Sequence, residues 1–363
     1  MKISDIINYI EELAPLSYQE SYDNSGLLVG QAEQNFRKGL VCFDLNEKSM
    51  QEAIDSGVNF ILTHHPFLFH NLKSITGETL SEKLLIQAIK HDIAIYAMHT
   101  NLDNVFHGVN YCFAEKLLLK ELKILRPVPN RLKKIITYVP TLHADQVRNA
   151  LFEAGGGHIG NYDSCSFNVS GTGSFKANQQ ANPFVGEKNK IHFENEIRIE
   201  TIFPDYKEKQ LIQALYQAHP YEEPAYDIYR LENENHSVGS GMIGKLTNPM
   251  TEFEFLSYIK SQMNLSLIMH SKPQNKSIQR IALCGGSGAF LIKDAIKQKA
   301  DVFVTGEIRY HDFIDFGKDI FLLSIGHYES EYAIKHYLCK KLIKKFSTFA
   351  VSKTEINPVN YFY

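Results

Sequence analysis

The feature that most limits what this chain can become is an alternation at both ends between short, unbroken apolar runs and segments of helical period. KGLVCFDLN, VNFILT and IAIYAMH read as buried strands; NEKSMQEAIDSG, closed by Gly57, ETLSEKLLIQAIKHD and GVNYCFAEKLLLKEL read as the helices between and after them. The C-terminal part repeats the rhythm with IQRIALCGG, SGAFLIKDAIKQKA, DVFVTG, a short helix near His311, DIFLLSIG and a long helix ending about Phe346. Strands that alternate with helices predict a mainly parallel sheet covered on both faces.

The middle follows a different order. KKIITYVP is a strand, HADQVRNALFEAG a helix, YDSCSFNVSGTGSFKA and NEIRIETIFP strands, YKEKQLIQALYQAHP a helix and PAYDIYRL a strand. That β-α-β-β-α-β sequence predicts a ferredoxin-like α+β unit. A length of 363 residues also favours two domains over one. The expected division is a discontinuous α/β domain over 1–127 and 246–363, with an inserted domain over 128–245.

Composition removes several function classes. A net charge of −3 supplies no overall attraction for nucleic acid or acidic membranes. The five cysteines, Cys42, Cys112, Cys165, Cys284 and Cys339, form no CxxC pair, which argues against a disulfide framework and a thiolate zinc site and suits a reducing, cytoplasmic setting. The N-terminal helix carries acidic residues where a secretory signal needs an apolar core, and no apolar run reaches membrane-spanning length.

In an open α/β sheet, ligands gather outside the carboxyl ends of the strands. Asp44 follows the first strand, His64 and His65 the second, His99 and Asp103 the third; His327 and Glu331 follow a strand of the C-terminal block. If a helix starts near His327, then His327 and Glu331 share one helical face. In FILTHHPFLFH the histidines are adjacent, so on one strand they would point to opposite faces. Pro66 biases His65 toward extended geometry, and a strand ending at Thr63 lets both imidazoles turn toward one cavity. Three histidines and two carboxylates exceed one tetrahedral zinc and suit two ions sharing a carboxylate, roughly 3.5–4 Å apart, for metal-assisted hydrolysis. The mixed nitrogen and oxygen set accepts zinc, iron or manganese.

Each signal also has a plainer explanation. Adjacent histidines occur in loops and cores, HxxxE is an ordinary helical pair, and HTNLD suits a capped turn. CGGSGAF could hold an anion on its backbone amides or simply pack a strand closely against a helix. Glu307 and His311 suit either partners that orient ligands or a surface pair. HPYEEPAYD, bracketed by prolines, reads as a rigid turn, and His91, His143, His270 and His336 read as surface or packing residues. Asp23, Asn24 and Gly26 in SYDNSGLLVG read as a turn into a short strand.

Taken together, SYDNSGLLVG, THHPFLFH, HTNLD, CGGSGAF, VTGEIRYHD and GHYESE resemble the NIF-three-like family, also labelled GTP cyclohydrolase 1 type 2 homologues. HPYEEPAYD and GHIGNYDSCSF look like the inserted PII/CutA-like domain of its longer bacterial members. The resemblance implies a dinuclear centre held by His64, His65, Asp103, His327 and Glu331, with Glu331 touching both ions and His99 and Glu331 as candidate catalytic groups. The expected pairing is His64 with His327 on one ion and His65 with Asp103 on the other. It also implies a toroidal homohexamer and hydrolytic opening of the GTP ring with release of formate. The alternatives are a metal-dependent phosphoesterase or nucleotidase, and a metal-binding regulatory or scaffold hexamer without turnover. Tyr22 stands where many members have tryptophan.

Overall fold

The computed structural model describes residues 1–69, 72–354 and 357–360. His70, which closes FILTHHPFLFH, lies outside the described residues. By its contacts the chain divides into two compact units, 1–127 with 236–363, and 128–235.

In the first unit the short apolar runs form strands because both of their faces can be covered. Gly39–Cys42, Phe60–Thr63 and Ala94–Ala97 are buried at every residue. They pair in parallel within a five-stranded sheet ordered Gly26–Val29, Ala94–Ala97, Phe60–Thr63, Gly39–Cys42, Phe349–Val351, in which Gly26–Val29 alone is antiparallel. One face, through Leu40, Cys42, Ile61 and Ile95, packs on Met50 and Ala53 of helix Glu47–Asp55 and on Leu84 and Ala88 of helix Leu80–Lys90. Asn46 starts the former helix by accepting from the backbone N–H groups of Lys48 and Ser49, two donors that otherwise lack partners.

A second sheet of six strands runs Met269–His270, Phe321–Ser324, Val302–Thr305, Ser277–Cys284, Gly239–Thr251, Lys120–Pro127. Of its four inner strands, three, 277–284, 302–305 and 321–324, pair in parallel, and Gly239–Thr251 is antiparallel to its neighbours. Its faces are covered by separate apolar clusters, one including Phe113, Phe255 and Ile259, the other Leu291, Ile292 and Phe303.

Three expectations change here. The first unit holds two mixed sheets, not one mainly parallel sheet. GVNYCFAEKLLLKEL is not one helix: the helix covers Val109–Lys116, Leu118 and Glu121 take positive φ, and Lys120–Pro127 is a strand. Its run of leucines satisfies helical and strand burial alike, so the pattern could not separate them. Finally, Gly239–Thr251 pairs with Ser277–Cys284 and with Lys120–Pro127, which brings residues 236–245 into the first unit. Exchange of strands knits the two blocks: Phe349–Val351 joins the N-terminal sheet, and Lys120–Pro127 joins the C-terminal one.

The second unit is an antiparallel sheet ordered Phe167–Lys176, Ile191–Pro204, Leu132–Pro140, Tyr226–Leu231. Ile135, Val139, Ile199 and Phe203 point to the face that packs on Val147 and Leu151 of helix Ala144–Glu153 and on Leu211 and Leu215 of helix Glu208–Ala218. Among the described residues no helix is long and apolar enough to cross a membrane, and the five cysteines are free.

Candidate metal centre

The strand Phe60–Thr63 ends where the opening puzzle needs it to end. Thr63 turns its hydroxyl to the Phe43 carbonyl at 3.1 Å, and the backbone N–H groups of His64 and His65 both reach the same carbonyl. Released from strand alternation, the two rings come together, with centroids 4.7 Å apart, over the ring of Phe43. His64 donates from Nδ1 to the Met98 carbonyl at 2.8 Å. That bond orients the ring with Nε2 aimed inward and, in the neutral imidazole, keeps the proton on Nδ1, as a metal ligand requires.

Every other imidazole is oriented the same way, by a bond on its Nδ1. His65 meets Asp44 at 2.7 Å, His99 meets Asp23 at 2.7 Å, and His327 meets Glu307 at 3.1 Å. Asp23 is itself held by Ser25, by the Thr100 backbone N–H at 2.9 Å and by the Thr100 hydroxyl. These bonds keep its carboxyl well below the usual carboxylate range although burial opposes its charge. Glu307 also accepts from Ser287 of the glycine-rich turn.

Glu331 sits at the centre, 4% exposed, on the short helix His327–Glu331. Its Oε2 lies 3.1 Å from His327 Nε2, 3.4 Å from His65 Nε2 and 3.7 Å from His64 Nε2. Asp103 Oδ1 is 3.7 Å from His64 Nε2. Yet His64 Nε2, Asp103 Oδ1 and Glu331 Oε2 are buried without a hydrogen bond. Buried donors and acceptors are nearly always satisfied, so three orphans converging on one point need a partner that the protein does not supply.

Donor atoms within 4.8 Å of one another form three groups: His65, His327 and Glu331; His64, Asp103 and Glu331; and His64, His65 and His99. The donor groups bring His64 together with Asp103 and His65 with His327, where the expectation pairs His64 with His327 and His65 with Asp103; His327 lies one helical turn before Glu331 on the side that His65 faces. Glu331 belongs to both of the carboxylate-containing groups. Asp44 orients His65, Glu307 orients His327, and Asp23 orients His99. His311 meets Tyr310 edge to face and takes no part in these groups.

Electrostatics favours a cation here. Burial disfavours charge on Glu331, but the imidazoles of His327, His64 and His65 hold its carboxyl well below its ordinary value. Burial and then the charge of Glu331 push Asp103 upward. Burial likewise opposes charge on His65 and His327, yet Asp44 and Glu331 lift His65 to about 10, and Glu331 lifts His327 to about 9. Carboxylates that raise both the His65 and the His327 imidazole are short of positive charge. Nitrogen and oxygen donors, orphaned atoms and a charge deficit together fit divalent metal.

CGGSGAF serves this centre by its lack of side chains. Gly286 has φ +60°, and a Cβ at Gly286 would collide with Glu331 Oε1. The turn amides are taken: Gly285 by Asn110, Gly286 by Ser330 and Gly288 by Thr305. Close approach, not anion binding, explains the glycines. Beside the centre lies a cavity of about 430 Å³ lined by Tyr22, His99, Asp103, Arg126, Phe290 and Glu331 among others. The Arg126 guanidinium sits 4.8 Å from the Phe290 ring centroid. Sequence reasoning missed Arg126 and Asn110, which no motif marks: Arg126 reaches this rim on the strand Lys120–Pro127 of the second sheet and Asn110 on the helix Val109–Lys116, while Phe290 ends CGGSGAF, where the sequence marks only the glycines.

The Duf34/NIF3 (NGG1p interacting factor 3) family model matches residues 1–359. A "GTP cyclohydrolase 1 type 2 homolog" of Halalkalibacterium halodurans is 40% identical over 315 residues, covering 86% of this chain and 85% of the relative. One of Bacillus subtilis is 38% identical over 366 residues, covering 98% and 97%. Among solved structures, a Bacillus cereus protein related to NIF3 is 34% identical with a TM-score of 0.89, covering 100% of this chain and 99% of that one.

Proposed function

The chain belongs to the Duf34/NIF3 family, and from that premise we propose that it is a hydrolase dependent on two divalent ions, of the kind its relatives' name suggests, opening the GTP ring with release of formate. The observation that carries this reading is the convergence of His64 Nε2, Asp103 Oδ1 and Glu331 Oε2, buried and without hydrogen bonds. His64, Asp103 and Glu331 would hold one ion and His65, His327 and Glu331 the other, chosen among zinc, iron and manganese by geometry and supply. Ions bound there would activate water near neutral pH and polarise a carbonyl or phosphoryl oxygen.

The chain's own residues do the remaining work. His99 is held by Asp23 through Nδ1, which leaves Nε2 for the cavity that the ring lines; there it can take a proton from water or deliver one to a leaving nitrogen. Tyr22 and Phe290 offer ring faces to a planar base. Arg126 offers a cation to phosphate oxygens. The same Arg126 favours a second reading, a phosphoesterase or nucleotidase on this centre. The toroidal homohexamer remains part of the proposal.

The experiment is a screen of metal-loaded protein against GTP and a panel of phosphoesters, following formate and phosphate, beside a His64→Ala/His327→Ala double variant. Formate released by the native chain and not by the variant supports the first reading. Phosphate release supports the second. No turnover with any of the three metals overturns both and leaves a regulatory scaffold.

A further inference from the structure

We propose that the 128–235 unit binds a small organic ammonium ion, in a cavity independent of the metal centre. The cavity, about 480 Å³, opens on the side of the sheet away from its two helices and is lined by the rings of Tyr138, Phe175, Phe184 and Tyr221. Ile197 and Ile199 face the helices, so Glu196 projects to the other side and into this aromatic box.

Glu196 is the decisive group. It is 9% exposed, its Oε1 accepts from the Tyr221 hydroxyl at 3.0 Å, and its Oε2 meets no donor or cation among the described residues. Space for that carboxylate exists only because residue 173 on the neighbouring strand is glycine: a Cβ there would collide with Glu196 Oε2. With one neutral hydroxyl as its side-chain hydrogen-bond donor, this carboxylate offers an acceptor that a cation entering the box can pair with.

The turn HPYEEPAYD aims the box. His219 donates from Nε2 to the Tyr138 carbonyl at 3.0 Å and accepts on Nδ1 from the Tyr221 backbone N–H at 3.0 Å, which fixes two of the four rings. Glu222 accepts from the Asn182 backbone N–H at 2.8 Å and so holds the segment that carries Phe184. Phe175 and Phe184 lie 5.8 Å and 6.4 Å from Tyr221, centroid to centroid.

Ring faces attract cations, and most strongly where water is excluded. With Glu196, Glu222 and Glu223 against Lys176 alone, the lining carries more carboxylates than cations and disfavours anions. A bare metal ion would need oxygen donors on several sides, which four rings do not provide. An alkylammonium group satisfies both the carboxylate and the rings.

The test is isothermal titration of the full-length protein with choline and cadaverine, beside 3,3-dimethylbutan-1-ol and pentan-1-ol as neutral counterparts. The expected result is saturable binding of at least one cation, with its neutral counterpart and the Glu196→Gln variant each weaker by about tenfold or more. Thermal melting and metal content of the variant should match the native chain. Absence of binding by both cations at millimolar concentration, equal binding of the neutral compounds, or displacement by calcium at equal strength overturns the proposal. Should Glu196→Gln fail to fold, the comparison of charged and neutral compounds on the native chain decides, with Phe175→Leu as the second variant.

Discussion

The carboxylate of Glu331 occupies the space that a side chain on Gly286 would need, so two residues 45 positions apart are matched atom against absent atom. The glycine also sits at φ +60°, where a side chain costs about 1 kcal/mol or more. Gly286→Ala should therefore lower the melting temperature and also strip the centre of metal by shifting Glu331. Elemental analysis after reloading with zinc or manganese checks it; full metal content in a folded variant would contradict the role assigned to the turn.

Removal of single donors should separate the two proposed ion sites. His64→Ala and Asp103→Asn are expected to lose the same ion, His65→Ala and His327→Ala the other, and Glu331→Gln both. Metal per chain, measured by elemental analysis on each single and double variant, decides. If His64→Ala with His327→Ala leaves as much metal as either variant alone, the proposed grouping of His64 with Asp103 and His65 with His327 is wrong.

Asp44 meets the centre through His65 Nδ1, at 2.7 Å. Asp44→Ala should weaken metal binding by about 10–100-fold without changing the number of ions at saturation, the usual effect of removing a ligand's orienting partner. Competition with a chelator of known affinity measures it, and an unchanged affinity would reduce Asp44 to a surface pair.

A pH dependence follows from Glu82, away from the metal centre. Its Oε2 accepts from the hydroxyl of Thr76 at 2.9 Å and from the backbone N–H groups of Thr76, Gly77 and Glu78. Led by the Thr76 hydroxyl, these donors lower its carboxyl from 4.5 to about 2. The folded value lies below the unfolded one, so this stabilisation is complete above 4.5 and is lost as the pH falls toward 2. Glu82→Gln should lower stability at neutral pH and flatten the acid limb over that interval, in urea melts at several pH values.

The alternating apolar runs were enough to specify strands and helices, because a run without polar alternation can be stable only where both faces are covered. The same local reading picked out the histidines and carboxylates that come together in one cluster, since strand ends in such folds are where polar groups collect. Local pattern was silent, however, on which strands would pair. The leucines before Lys120 suit helix and strand equally, and the strand Gly239–Thr251 closes a sheet whose other members lie far away in sequence. Only the assembled sheets decided that His64 would meet Asp103 and His65 meet His327, that Gly286 would make room for Glu331, and that Arg126 would reach the rim. Those are distances between segments remote in the chain. Periodicity records which face of an element is buried; it carries no record of what that face is buried against.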